Sequence, residues 1–140
     1  MDKIKVIARW VLTIPAGVLV AWLVFALSQV SVSFVLHYFL GLSEGSFFPL
    51  VYKHTVPYLL MGGVFIASVV KFAPSHPKQT AYVCAVLALL HSVLPFIIAS
   101  QFLKDNSLNH WGVIGVVCEI AGVLLMTYAV RSTSTDLRNT

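Results

Sequence analysis

Four stretches of roughly twenty residues run through this chain almost without formal charge, and they restrict the fold more than any motif does. The first covers residues 10–28 and holds no charged side chain. The second covers 55–73, with Lys71 near its end; the third covers 81–102 and the fourth 111–130. A helix needs about 20 mainly apolar residues to cross a hydrocarbon layer of about 30 Å. None of the four shows the strict apolar–polar alternation of barrel strands, so helices are expected. The sequence therefore predicts an all-α membrane protein: four transmembrane helices in an up-down bundle, with residues 1–140 forming one integral membrane domain.

Composition supports that reading. Of 140 residues, 59% are hydrophobic and 10% charged, with a mean hydropathy of +0.90. Soluble domains carry about 25% charged residues, so too few charges are present to coat a water-facing surface. A net charge of +4 could suggest nucleic acid, but the basic residues form no stripe with interleaved aromatics, and no nucleic-acid partner is expected. They sit instead at the ends of the apolar stretches. Lys3, Lys5, Arg9, Lys71, Lys78, Arg131 and Arg138 fall on one side of the threaded chain, and Lys53 and Lys104 on the other. Seven against two predicts an inner (plasma) membrane location with both termini cytoplasmic. The stretch from Trp10 is too long for a signal-peptide core, so it is expected to stay as an uncleaved first helix.

The connections differ in character. Residues 73–78 contain Pro74 and Pro77 and form a short inner loop, which predicts that the helices on either side are antiparallel neighbours. Residues 104–110 are polar, and Ser107 or Asn109 could cap the last helix. Residues 29–54 remain largely apolar until Gly41. Either the first helix projects beyond the membrane or a separate segment lies along its surface. An interfacial segment over residues 31–40 is expected, followed by a turn at Ser43–Ser46.

Helices in lipid associate by close packing of small residues and by polar contacts. Gly17, Gly63, Gly112, Gly115 and Gly122 are the candidate packing residues. Gly112, Gly115, Glu119 and Gly122 recur at helical spacing and share one face. Glu119 is thus expected to face another helix. In the third stretch, Cys84, Ala88, His91 and Pro95 follow similar spacing, and Pro95 could kink the helix near His91. At 1.5 Å per residue, Glu119 and His91 both fall within about 3 Å of the bilayer midplane. An ionisable side chain at that depth needs a partner or must be neutral. Glu119 and His91 are therefore expected to pair. The pair could lock helix register, relay protons or bind an ion, or serve catalysis or cofactor ligation.

Other chemistry is poorly represented. Cys84 and Cys118 differ by about 15 Å in depth, too far for a disulfide. His37, His54 and His110, near Glu44 and Asp105 in the threaded chain, lack ligand-pair spacing, so no metal is expected. No phosphate loop, GxSxG elbow or HExxH is present. With no enzymatic signature and no cofactor motif, the sequence points to an accessory, assembly or structural membrane subunit. Its partners would be the lipid bilayer and either further copies or a larger membrane complex. The alternative is an oligomeric proton-coupled transporter or channel subunit using Glu119 and His91.

Overall fold

The computed structural model describes residues 3–43, 46–73, 76–102 and 110–136. It contains four α-helices: α1 (Lys3–Phe34), which continues as a π-helical turn (Val35–Phe39), then α2 (Phe47–Phe72), α3 (Pro77–Phe102) and α4 (His110–Asp136). Among the described residues, three segments are long and apolar enough to cross a membrane: Ile7–Phe39, Phe47–Phe72 and His110–Thr133. The surface is coated with apolar side chains, including Leu19, Leu23, Leu27 and Val30 along α1 and Leu124 and Leu125 on α4. Such a coat is stable only where the surroundings are apolar too.

The expected interfacial segment is instead part of the first helix. Residues 31–39 continue α1 without a break, and the helix ends where Gly41 adopts a φ of 61°. A side chain disfavours that left-handed conformation, and glycine does not. Leu42 N–H donates to the carbonyl of Leu36 at 3.1 Å, so the π turn widens the terminal cap. An apolar helix that overhangs and an apolar helix that lies flat have the same composition, and the sequence could not separate them. In the following turn, Ser46 Oγ donates to the Ser43 carbonyl at 2.8 Å; Glu44 lies outside the described residues. The caps considered for α4, Ser107 and Asn109, also lie outside them, as does the side chain of Pro95.

The α2 and α4 helices form the tightest pair. A Cβ on Gly62 would collide with the backbone carbonyl of Glu119, and one on Gly122 would collide with the carbonyl of Leu59. Only glycine lets two backbones approach so closely. The ring of Tyr58 would lie 3.2 Å from a Cβ on Gly115. Contacts advance together along both chains, from Tyr58–Gly115 to Gly62–Val123, so α2 and α4 run parallel. On the other flank, Gly17 packs against Phe65 and Val69, Phe25 against Tyr58, and Gln29 against Lys53. Residue numbers rise along α1 as they fall along α2, so this pair is antiparallel. The α3 helix rests mainly on α4 and less on α2, and α1 and α3 do not pack extensively on one another. The fully buried core is Ile66, Val69 and Val123 with Thr13 and Pro57.

Hydroxyl groups in the helices largely satisfy themselves. Thr13, Ser28, Thr55, Ser92 and Thr127 each donate to the carbonyl four residues earlier, at 2.7–2.9 Å. This local bonding suits apolar surroundings, and by itself it ties no helix to another.

Candidate functional site

A cavity of about 280 Å³ opens where all four helices come near one another. Glu119 of α4 and His91 of α3 line it, together with Ala21, Trp22, Gly62 and Ala88. The carboxyl side is well sheltered: Glu119 is 8% exposed and Ser92 is 7% exposed. The Ser92 hydroxyl stands within reach of the Glu119 carboxyl, and the His91 imidazole acts on the carboxyl electrostatically. His91 itself is exposed at the cavity rim. The two expected partners thus border one cavity, with Ser92 as the direct contact.

Ser92 Oγ also lies 2.9 Å from the Ala88 carbonyl, to which it donates. A hydroxyl has one proton to give. It can serve Ala88 while a protonated carboxyl donates to Oγ, or it can turn to a carboxylate and release Ala88. The proton on Glu119 and the rotation of Ser92 are therefore coupled.

A second cavity of about 290 Å³ lies further along the same groove. It is lined by Trp10, Thr13, Gln79, Thr80 and Cys84, and it meets the first at Ile14. Together they follow the line where α1 and α3 fail to pack. Cys84 is buried in this wall and Cys118 is half-buried; both are free thiols.

The glycines expected to pack are distributed unevenly. Gly17, Gly115 and Gly122 are buried against neighbouring helices, and a Cβ on Gly63 would lie 3.6 Å from the Gly122 carbonyl. Gly112 is a correction: it has open space around it and packs against nothing. At helix spacing it shares a stripe with Gly115, but only Gly115 is set against α2, under the ring of Tyr58. Gly62, which makes the closest approach, was not singled out by spacing, because its own neighbours four and seven residues on are the large Ile66 and Val69.

The histidines at the other end lie on three different elements. His54 Nδ1 is 2.9 Å from the Leu50 carbonyl, and its ring lies 5.5 Å from Trp111 and 6.5 Å from Tyr58. His37 sits in the π-helical turn, and His110 begins α4. Among the described residues no three metal-binding side chains cluster; Glu44 and Asp105 lie outside them.

Gln29 was also missed. Pro57 has no N–H, so the Lys53 carbonyl, four residues earlier, loses its helical donor. Gln29 Nε2 supplies one from α1, at 3.2 Å. The signal was available in the sequence: a proline inside an apolar stretch calls for a polar side chain at the same depth on a neighbour.

No protein family, curated protein or solved structure matches this chain. A functional reading consequently has to come from the residues themselves.

Proposed function

We propose that this chain is a four-span membrane subunit without catalytic activity, which assembles with further copies or with other membrane chains. In this reading α3 is the fourth span, the helices alternate up and down, and both termini lie on the cytoplasmic face of an inner (plasma) membrane. The α3 apolar run over residues 81–102 has no Asp, Glu, Lys or Arg, and the basic residues are asymmetrically distributed between loops. The observation that carries the assembly reading is His91. It is exposed on the chain by itself, about 2 Å from the middle of α3 by helical rise. A polar ring facing acyl chains at that depth is costly. A neighbouring protein surface over the α1–α3 groove removes that cost and closes the cavity at the same time.

The test is cross-linking in native membranes. Leu87 flanks the cavity and is exposed, so Leu87→Cys in a chain with Cys84 and Cys118 replaced by Ala should form a disulfide-linked dimer or a cross-link to another chain. An exclusively monomeric product refutes the assembly reading.

A second reading is supported by the coupled Glu119–Ser92 hydroxyl and the cavity that reaches it: an oligomeric, proton-coupled transporter or channel subunit using Glu119 and His91. Proton flux in liposomes that disappears in Glu119→Gln, with folding preserved, is its expected result. Absence of flux in the unmodified protein refutes it.

A further inference from the structure

We infer that the pocket at the Lys53 end of the molecule holds a phospholipid headgroup that combines an anionic phosphate with a hydrogen-bond donor, of the ethanolamine or glycerol class. The pocket is an open depression of about 570 Å³, and its polar lining consists of Gln29, Ser33, His37 and Lys53. Gln29, Ser33 and His37 follow one another at four-residue spacing along the first helix, and Lys53 faces them from α2. A π turn carries more residues per turn than an α turn. Placing the π turn at Val35–Phe39 holds His37 above Ser33 rather than letting it drift around the helix. An ammonium, an imidazole and a hydroxyl on one wall suit a phosphate.

A second observation points to the donor. With its Nε2 committed to the Lys53 carbonyl, Gln29 leaves Oε1 buried and without any hydrogen-bond partner. A native structure rarely strands such an acceptor. A small turn of the Gln29 amide, already on a long 3.2 Å bond, brings this closed-off oxygen within reach of the amino group of ethanolamine or a hydroxyl of glycerol, whereas choline has no donor to offer.

Depth selects a lipid over a free anion. The Glu119 cavity meets α1 between Ile14 and Trp22, which sets the midplane level. By helical rise from the middle of that stretch, Gln29 lies about 16 Å above it and Ser33 about 22 Å. The hydrocarbon edge lies at about 15 Å and the outer limit of the headgroups at about 20–22 Å. Val30, Phe34 and Tyr38 complete the pocket as an apolar wall against which the first carbons of the lipid can lie. This inference rests on the chain spanning a bilayer, not on the assembly reading.

The experiment uses the delipidated full chain in detergent micelles, with thermal unfolding followed as lipid is added. Short-chain phosphatidylglycerol and phosphatidylethanolamine should raise Tm, phosphatidylcholine should do so markedly less, and inorganic phosphate should not. Lys53→Ala should weaken the glycerol lipid about tenfold, the loss of one charge-assisted contact, and Lys53→Arg should retain it. His37→Ala provides an independent arm on an exposed side chain whose loss does not threaten the fold. Equal response to phosphatidylcholine, a full response to inorganic phosphate, or unchanged binding in both alanine variants overturns the inference. Alkaline extraction separates this from its premise. A chain that stays in the membrane pellet without headgroup selectivity refutes only the lipid site, and a chain released to the supernatant refutes the bilayer reading.

Discussion

The contact between Gln29 and the proline-freed carbonyl of Lys53 can be isolated energetically by a double-mutant cycle. At 3.2 Å the bond is at the long end of the range for amide donors, so its net worth is about 1 kcal/mol. Gln29→Leu removes the donor and strands the Lys53 carbonyl, yet it also removes the unpartnered Oε1. These effects oppose one another, and the single substitution should cost only about 1 kcal/mol or less. Pro57→Ala restores an N–H at position 57 that can reach the same carbonyl. Pro57 is fully buried, so this substitution carries a packing cost of its own, which the cycle subtracts. In the Pro57→Ala background the Gln29 donor is redundant, and Gln29→Leu should be neutral or stabilising. The expected coupling between the two positions is about 1 kcal/mol, above the roughly 0.3–0.5 kcal/mol scatter of independent sites. Unfolding by sodium dodecyl sulfate in mixed micelles, followed by circular dichroism, provides the four free energies. If Gln29→Leu costs the same in both backgrounds, the amide does not serve the proline gap, and the account of how α1 is fastened to α2 fails.

Five further substitutions test the packing. Gly62→Ala should destabilise by about 1–3 kcal/mol in the same assay, because its Cβ meets a backbone carbonyl that cannot rotate away, whereas Gly112→Ala, in open space, should be neutral or gain up to about 1 kcal/mol. Gly41→Ala should cost about 1 kcal/mol by backbone conformation alone, since nothing surrounds the added carbon. Ser92→Ala should cost about 1–3 kcal/mol by leaving the sheltered Glu119 carboxyl without its hydrogen bond. Glu119→Gln should cost less than Ser92→Ala, because an amide can still donate to Ser92 Oγ; the reverse order of melting temperatures would show that Ser92 is not the carboxyl's partner.

What could be read from the sequence divides along physical lines. The helices were legible because apolar runs of this length have few other ways to satisfy their backbone. The ends were not, because the chain remains apolar past the point where a bilayer would stop. Rotation about each helix axis was the harder problem. On α3 the buried side is Ala81, Cys84, Ala85, Ala88 and Ser92, and His91 is a single residue off that face. By helical rotation His91 lies about 80° from the middle of that side and about 20° from Cys84, at the edge where a small turn exchanges a contact with Glu119 for a place on the rim. Hydropathy periodicity fixes that angle only when one face is polar, and here nearly every face is apolar.

That uniform coat also explains why the fold leaves a groove. With apolar surroundings, burying Leu or Val between helices gains little, so helices close up only where backbones can touch or polar groups can bond across. Gly62 and Gly122 meet the first condition for α2 and α4, and Gln29 meets the second for α1 and α2. Between α1 and α3 neither is available: Thr13 is bonded to Arg9 within its own helix, and Thr80 to His76. The hydroxyls on the facing walls are spent before they can reach across. Among the described residues nothing draws the groove shut, and the proposed assembly is what would cover the side chain that most needs it, His91.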